Sequence, residues 1–136
     1  MSDQDIMART IWGEARGEGQ PGMEAVANVI LNRNELWHVH PHFGHGTVQS
    51  VCLAPWQFSC WNENDPNAAK LKAVSFQDPV FAQCLQVASD AIAGIIEDNT
   101  NGATYYYVKN SPQPTWATGK EPCAEIGRHL FFKDIA

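Results

Sequence analysis

The chain of 136 residues lies within the size range of one domain and is long enough to bury a core around a single groove. With 44% apolar residues and five Trp, three Tyr and six Phe, its composition is that of a globular protein, and no apolar run approaches the length that spans a bilayer. A formal net charge of −6, with only nine Lys and Arg along the chain, argues against phosphate-backbone binding, so nucleic acid is not an expected partner.

Ser2, three residues ahead of Asp5, is a capping signal, and Met7, Ile11 and Glu14 keep helical spacing, which predicts a first helix over residues 3–16. Pro21 and Gly22 open a second helix, where Met23, Val26, Ala27, Ile30 and Leu31 fit the apolar stripe of a 3.6-residue period. Residues 37–46, rich in His, Pro and Gly, read as loop. Thr47 caps a short helix through Val48, Val51 and Cys52, stopped by Pro55 because the residue before proline disfavours helical geometry. Residues 56–67 read as polar and aromatic loop, and a short helix is expected at 68–73. Asp78 and Pro79 then make a cap and first turn for a helix whose stripe is Phe81, Leu85, Ala88 and Ile92, ending at Gly94. After turn residues 99–102, the segment 103–108 is rich in strand formers, and 129–132 is a second extended segment able to pair with it. The expected fold is α+β and mainly helical, one domain over 1–136 with a small C-terminal β-hairpin.

Cys52, Cys60, Cys84 and Cys123 form no CxxC pair and no framework spacing. Buried free thiols are the expectation, with a Cys52 to Cys60 bridge as the alternative for a protein working outside the cell. The first residues lack the basic start and apolar stretch of a secretory signal, so the chain is expected to be made in the cytoplasm. His38, His40, His42 and His45 invite a zinc reading, but Pro41 interrupts them and no His-Glu-x-x-His pattern occurs, so no metal or cofactor is expected.

One residue breaks the pattern of the first helix. At about 100° per residue Met7, Ile11 and Glu14 project from nearly the same side, while Arg9 and Arg16 project from the other. A carboxyl group placed against apolar neighbours favours its protonated form, which is what a glycosidase requires of its general acid.

The run Ala8-Arg9-Thr10-Ile11-Trp12-Gly13-Glu14-Ala15-Arg16-Gly17-Glu18, continuing into Ala25-Val26-Ala27-Asn28-Val29-Ile30-Leu31-Asn32-Arg33, resembles the catalytic domain of the SleB/CwlJ-type cell-wall hydrolases, the spore-cortex-lytic enzymes and their phage relatives. Trp56-Gln57-Phe58-Ser59-Cys60, Gly102-Ala103-Thr104-Tyr105-Tyr106-Tyr107 and Ile126-Gly127-Arg128-His129-Leu130-Phe131-Phe132 continue the resemblance in family order over nearly the whole chain. It implies a fold similar to lytic transglycosylases and goose-type lysozymes, with Glu14 as catalytic acid. The implied substrate is the glycan strand of peptidoglycan, cut at the β-1,4 bond between N-acetylmuramic acid and N-acetylglucosamine with a 1,6-anhydro or a hydrolysed product. A monomeric phage or prophage lysis enzyme, acting on the wall after release, is the expected setting.

Gln57 and Ser59 are candidate contacts to acetamido and hydroxyl groups of the sugar. Tyr105 and Tyr107 share one face of their strand and are candidates to line the groove, with Tyr106 on the other face. Trp116 is a candidate sugar platform. Glu18 and His129 are expected to support the acid without touching substrate. Two other readings compete: a zinc-dependent wall amidase or peptidase using the His-rich loop, and a non-catalytic peptidoglycan-binding module.

Overall fold

A computed structural model describes residues 1–55 and 57–135; Trp56, the first residue of one of the motifs above, lies outside the described residues. Helix α1 (Asp3–Ala15) begins where the Ser2 hydroxyl accepts the Asp5 N–H at 3.1 Å, and Asp3 and Asp5 in its first turn complement the helix dipole. Helix α2 (Gly19–Glu35) follows, then the short α3 (Val48–Cys52), where Thr47 and Ser50 form the reciprocal capping box of the expected start. Helix α4 (Pro66–Ala73) starts two residues before the expected position, because the Asp65 side chain accepts the Asn67 N–H at 2.8 Å and Pro66 fits the first turn. Helix α5 (Pro79–Ile92) is capped by Asp78, which accepts the N–H groups of Val80 and Phe81.

α1 is the central element and packs against all four other helices. Met7 and Ile11 are fully buried there with Val26, Ile30, Phe58, Leu71 and Phe81. Arg9 clamps α4 to α1: its guanidinium donates to the Leu71 and Val74 carbonyls and lies 5.0 Å from the centre of the Phe81 ring. The stripe expected on α5 is rotated. Phe81, Cys84, Val87, Ala88 and Ala91 are buried, whereas Leu85 is only half-buried and Ile92 is exposed. Small residues at 84, 88 and 91 let α5 approach α1 closely, so the contact face follows side-chain size as well as hydropathy.

The expected hairpin is a three-stranded antiparallel sheet. Strand β1 (Tyr105–Val108) and strand β2 (Ala124–Ile126) both pair with the central β3 (His129–Phe132), with Tyr106 opposite Phe131. β2 has three residues, too few for an alternating pattern to be read. It turns into β3 through Gly127 at φ 56°. β1 is launched by a turn built on Asp98, whose carboxylate accepts the N–H groups of Thr100 and Gly102 and the Thr100 hydroxyl.

No helix among the described residues is long and apolar enough to cross a membrane. Cys52, Cys60, Cys84 and Cys123 are free thiols, the first three buried. Burial pushes the Cys52 and Cys84 thiols up to about 12 and raises Cys60 and Cys123 as well, so all four are thiols at neutral pH.

Candidate active site

The last turn of α1 is held flush against the loop after α3. A Cβ on Gly13 would lie 2.7 Å from the Cys60 Cβ and 2.9 Å from its Sγ, so only glycine fits before Glu14. Trp61 fastens the same loop to α1 by donating from Nε1 to the Thr10 hydroxyl at 2.9 Å. Glu14 is therefore presented by a backbone pinned from two sides.

Glu14 is half-buried, and its Oε1 accepts the Tyr106 hydroxyl at 2.6 Å. Burial, followed by the charge of Glu14 and the hydrogen bond to it, drives the Tyr106 hydroxyl well above its ordinary range, so it remains a donor. The Tyr106 ring meets His129 edge-on at 5.1 Å and lies 5.4 Å from Phe131. Alternation along β1 thus sends Tyr106, and not its two neighbours, toward α1.

Glu18, just past α1, has a different environment. Its side chain is 4% exposed and accepts the Arg128 backbone N–H at 2.9 Å and the Arg128 Nε at 2.8 Å, with Nη2 at 2.8 Å as well. Burial alone would raise this carboxyl, but the Arg128 hydrogen bonds and the charges of His129 and Arg128 prevail and hold it below its ordinary value. A Cβ on Gly127 would fall 2.9 Å from the Glu18 Oε1, so the β2–β3 turn also requires glycine for this contact. His129 Nδ1 stands 3.4 Å from the same oxygen; burial lowers the imidazole's proton affinity and outweighs the opposing pull of Glu18 and Glu14.

Residues 13–18, with Asn67 and Arg128 facing them, line a cleft of about 290 Å³. A larger concavity of about 630 Å³ lies between Asp3, the His42–His45 segment and α3. Its lining holds neither Glu14 nor Glu18, and the smaller cleft is the one that contains both candidate carboxyls.

The structure brings Glu14, Glu18 and His129 together through Tyr106 and Arg128. Gln57 is half-buried and Ser59 exposed on the segment leading to Cys60; neither lines the cleft. Tyr105 and Tyr107 lie on the opposite face of β1, packed with Trp116 and Phe132, so these two tyrosines and Trp116 do not reach the cleft beside Glu14. Tyr105 instead meets His42, at 3.1 Å between its hydroxyl and Nε2. Sequence reasoning assigned no role to Arg16, Asn67, Tyr106 or Arg128. Only for Tyr106 was there a signal, its separation from the other tyrosines by strand alternation, and nothing in the sequence says which face turns to α1. His40 and His42 lie with ring centres 5.8 Å apart, and among the described residues no three His, Cys, Asp or Glu side chains converge in a way that could hold a metal ion.

The chain matches the Cell Wall Hydrolase family over residues 17–132. It belongs to the cell wall hydrolase family. Similarity to two relatives extends beyond that span and covers Glu14 as well. The chain is 32% identical over 136 residues to a spore cortex-lytic enzyme of Halalkalibacterium halodurans, covering 96% of this chain and 35% of that protein. It is 32% identical to a spore cortex-lytic enzyme of Bacillus cereus, covering 97% of this chain and 44% of that one. This cell wall hydrolase therefore spans less than half the length of those two relatives. Its fold matches the catalytic domain of the germination-specific lytic transglycosylase SleB from Bacillus anthracis with a TM-score of 0.73 at 29% identity, over 96% of this chain and 93% of that one. The catalytic domain of Bacillus cereus SleB matches with a TM-score of 0.74 at 29% identity, over 96% and 89% of the two chains. The mainly helical, lysozyme-like architecture expected from sequence is thus the fold of the family.

Proposed function

We propose that this chain is a peptidoglycan-cleaving glycosidase of the lytic transglycosylase type, that residues 1–136 act as one catalytic domain, and that Glu14 is its acid and base. The observation that carries the reading is the unequal treatment of the two carboxyls in the cleft: Glu18 is neutralised by Arg128, whereas Glu14 meets a neutral hydroxyl. The name of the SleB relative, a lytic transglycosylase, supports the reaction type.

In this mechanism the Tyr106 hydrogen occupies Oε1 of Glu14, leaving Oε2 to carry the acidic proton toward the substrate. Glu14 gives that proton to the bridging oxygen as the bond from C1 of N-acetylmuramic acid breaks and the N-acetylglucosamine hydroxyl departs. The resulting carboxylate is the better partner for Tyr106, because a hydrogen bond to an ionised acceptor is stronger. Glu14 then takes the proton of the muramoyl 6-hydroxyl while its oxygen closes on C1, giving a 1,6-anhydro ring and restoring the acid. No second carboxylate is needed, unlike the two-carboxylate glycosidases. Gln57 and Ser59 are proposed to meet a sugar unit beyond the cleft, since their segment continues into Cys60 against Gly13.

Mass spectrometry of purified peptidoglycan digested by the protein tests this directly. Anhydro-muramoyl ends are expected. Reducing muramoyl ends would replace transglycosylation by hydrolysis, and release of peptides with intact glycan strands would overturn the glycosidase reading.

A further inference from the structure

The cleft beside Glu14 carries more positive charge than the mechanism uses. Two guanidiniums, Arg16 and Arg128, line it together with the carboxyls of Glu14 and Glu18, and of the two it is Arg128 that pairs with Glu18. Arg16 lies 4.3 Å from the centre of the Trp12 ring, and its partners are neutral: the Asn67 side-chain oxygen at 2.9 Å and the Trp12 carbonyl at 3.3 Å. It is therefore fixed in direction with its charge uncompensated by those contacts. Arg128 turns its Nε and Nη2 to Glu18 while its side chain lines the cleft and remains 74% exposed. Arg128 Nη2 lies 3.7 Å from where a Cβ on Gly17 would stand, so a side chain at residue 17 would crowd this opening.

Planar guanidiniums with free N–H edges recognise carboxylates by paired, charge-assisted hydrogen bonds. Resting on the glycosidase reading above, we propose that Arg16 and Arg128 form a carboxylate-binding subsite beside Glu14, which takes the anionic substituent of the muramoyl unit being cut. That substituent is the free lactyl carboxylate on a strand without peptides, or a carboxylate of the peptide stem where a stem is attached. The subsite sets which sugar of the alternating strand lies over Glu14, since N-acetylglucosamine carries no such group.

The test measures kcat and KM of the wild-type protein, Arg128→Gln, Arg128→Lys and Arg16→Gln. Three substrates are used: peptide-free glycan strands, the same strands with lactyl carboxylates converted to methylamides, and stem-bearing strands. For the wild type, KM on carboxylate strands is expected to be about fivefold lower than on amidated ones, the upper end for a solvent-exposed ion pair, and the gap should narrow as salt rises. Each Gln variant should lose part of this preference, and Arg128→Lys should retain part of it. A preference confined to peptide-free strands identifies the lactyl group, and one seen also with stem-bearing strands identifies the stem. Equal wild-type KM on amidated and carboxylate strands, or equal losses by the variants on both, overturns the subsite and leaves the glycosidase reading intact. A wild-type protein that cuts none of the three overturns the glycosidase reading itself.

Discussion

At one end of the cleft Glu14 accepts the hydroxyl of Tyr106, and at the other Glu18 is gripped by a guanidinium, a backbone N–H and the edge of His129. The two residues are four positions apart and chemically identical, yet one is met by a phenol hydroxyl and the other is held in an ion pair. The difference arises from what folds back onto each from the C-terminal sheet: Tyr106 of β1 onto Glu14, and the β2–β3 turn onto Glu18. On the proposed mechanism, the two glutamates differ by their contacts, and the sheet supplies those contacts.

The comparison breaks most sharply at Glu14. Glu14→Gln is expected to lower peptidoglycan turnover about a thousandfold, within the usual range for a general acid, with unchanged circular dichroism. Substantial turnover in that variant would remove Glu14 from the mechanism. Gly13→Ala should come next, with a loss of about 2 kcal/mol in denaturant-measured stability, because the added methyl meets Cys60 Cβ and Sγ with no room to shift. Tyr106→Phe is expected to reduce kcat about tenfold through loss of one hydrogen bond to a charged group, while Tyr107→Phe leaves it close to wild type. Equal effects of the two substitutions would mean that the strand contributes packing alone.

Glu18→Gln sharpens the other side and carries the smallest effect, about 1 kcal/mol at neutral pH, because Arg128 is largely exposed and solvent weakens the pair. Glu18 is held below its ordinary value of 4.5, so its contribution is complete above that pH and is lost as the pH falls through the native value. His129, held by burial below its ordinary 6.5, acts in the same direction: stability present above 6.5 is lost as the pH falls from there through its native value. Thermal melts of wild type and Glu18→Gln should therefore converge in acid. A gap that persists there would make the Glu18 contribution one of shape and not of charge.

Much of this arrangement was legible in the sequence wherever a local signal acts alone. Ser2, Thr47 and Asp78 announce their helices through hydrogen bonds that span only three residues, and each cap forms as expected. Glu14 was singled out by a conflict between its charge and the face it occupies, together with the family motif around it. The contacts that distinguish it from Glu18 were not legible, because Tyr106 is 92 residues away from Glu14 and Arg128 is 110 away from Glu18. Helical periodicity and strand alternation describe one element at a time; which faces meet is set by packing of the whole chain. The rotated face of α5 shows the same limit, as Cys84 and Ala91 are buried for their small size while the larger Ile92 is left outside.

The three successive tyrosines of β1 also bear on how this strand tolerates change in length. A one-residue slip exchanges the faces of a strand, and in most sequences it would replace an essential side chain by an unrelated one. Here a deletion or duplication just after the Asp98 turn would still offer a phenol to Glu14, from Tyr107 or Tyr105, while Val108 or Thr104 moved into the aromatic cluster beside Trp116. Such a chain would lose packing before it lost the hydroxyl that bonds Glu14, so the triplet gives the strand tolerance to drift in loop length.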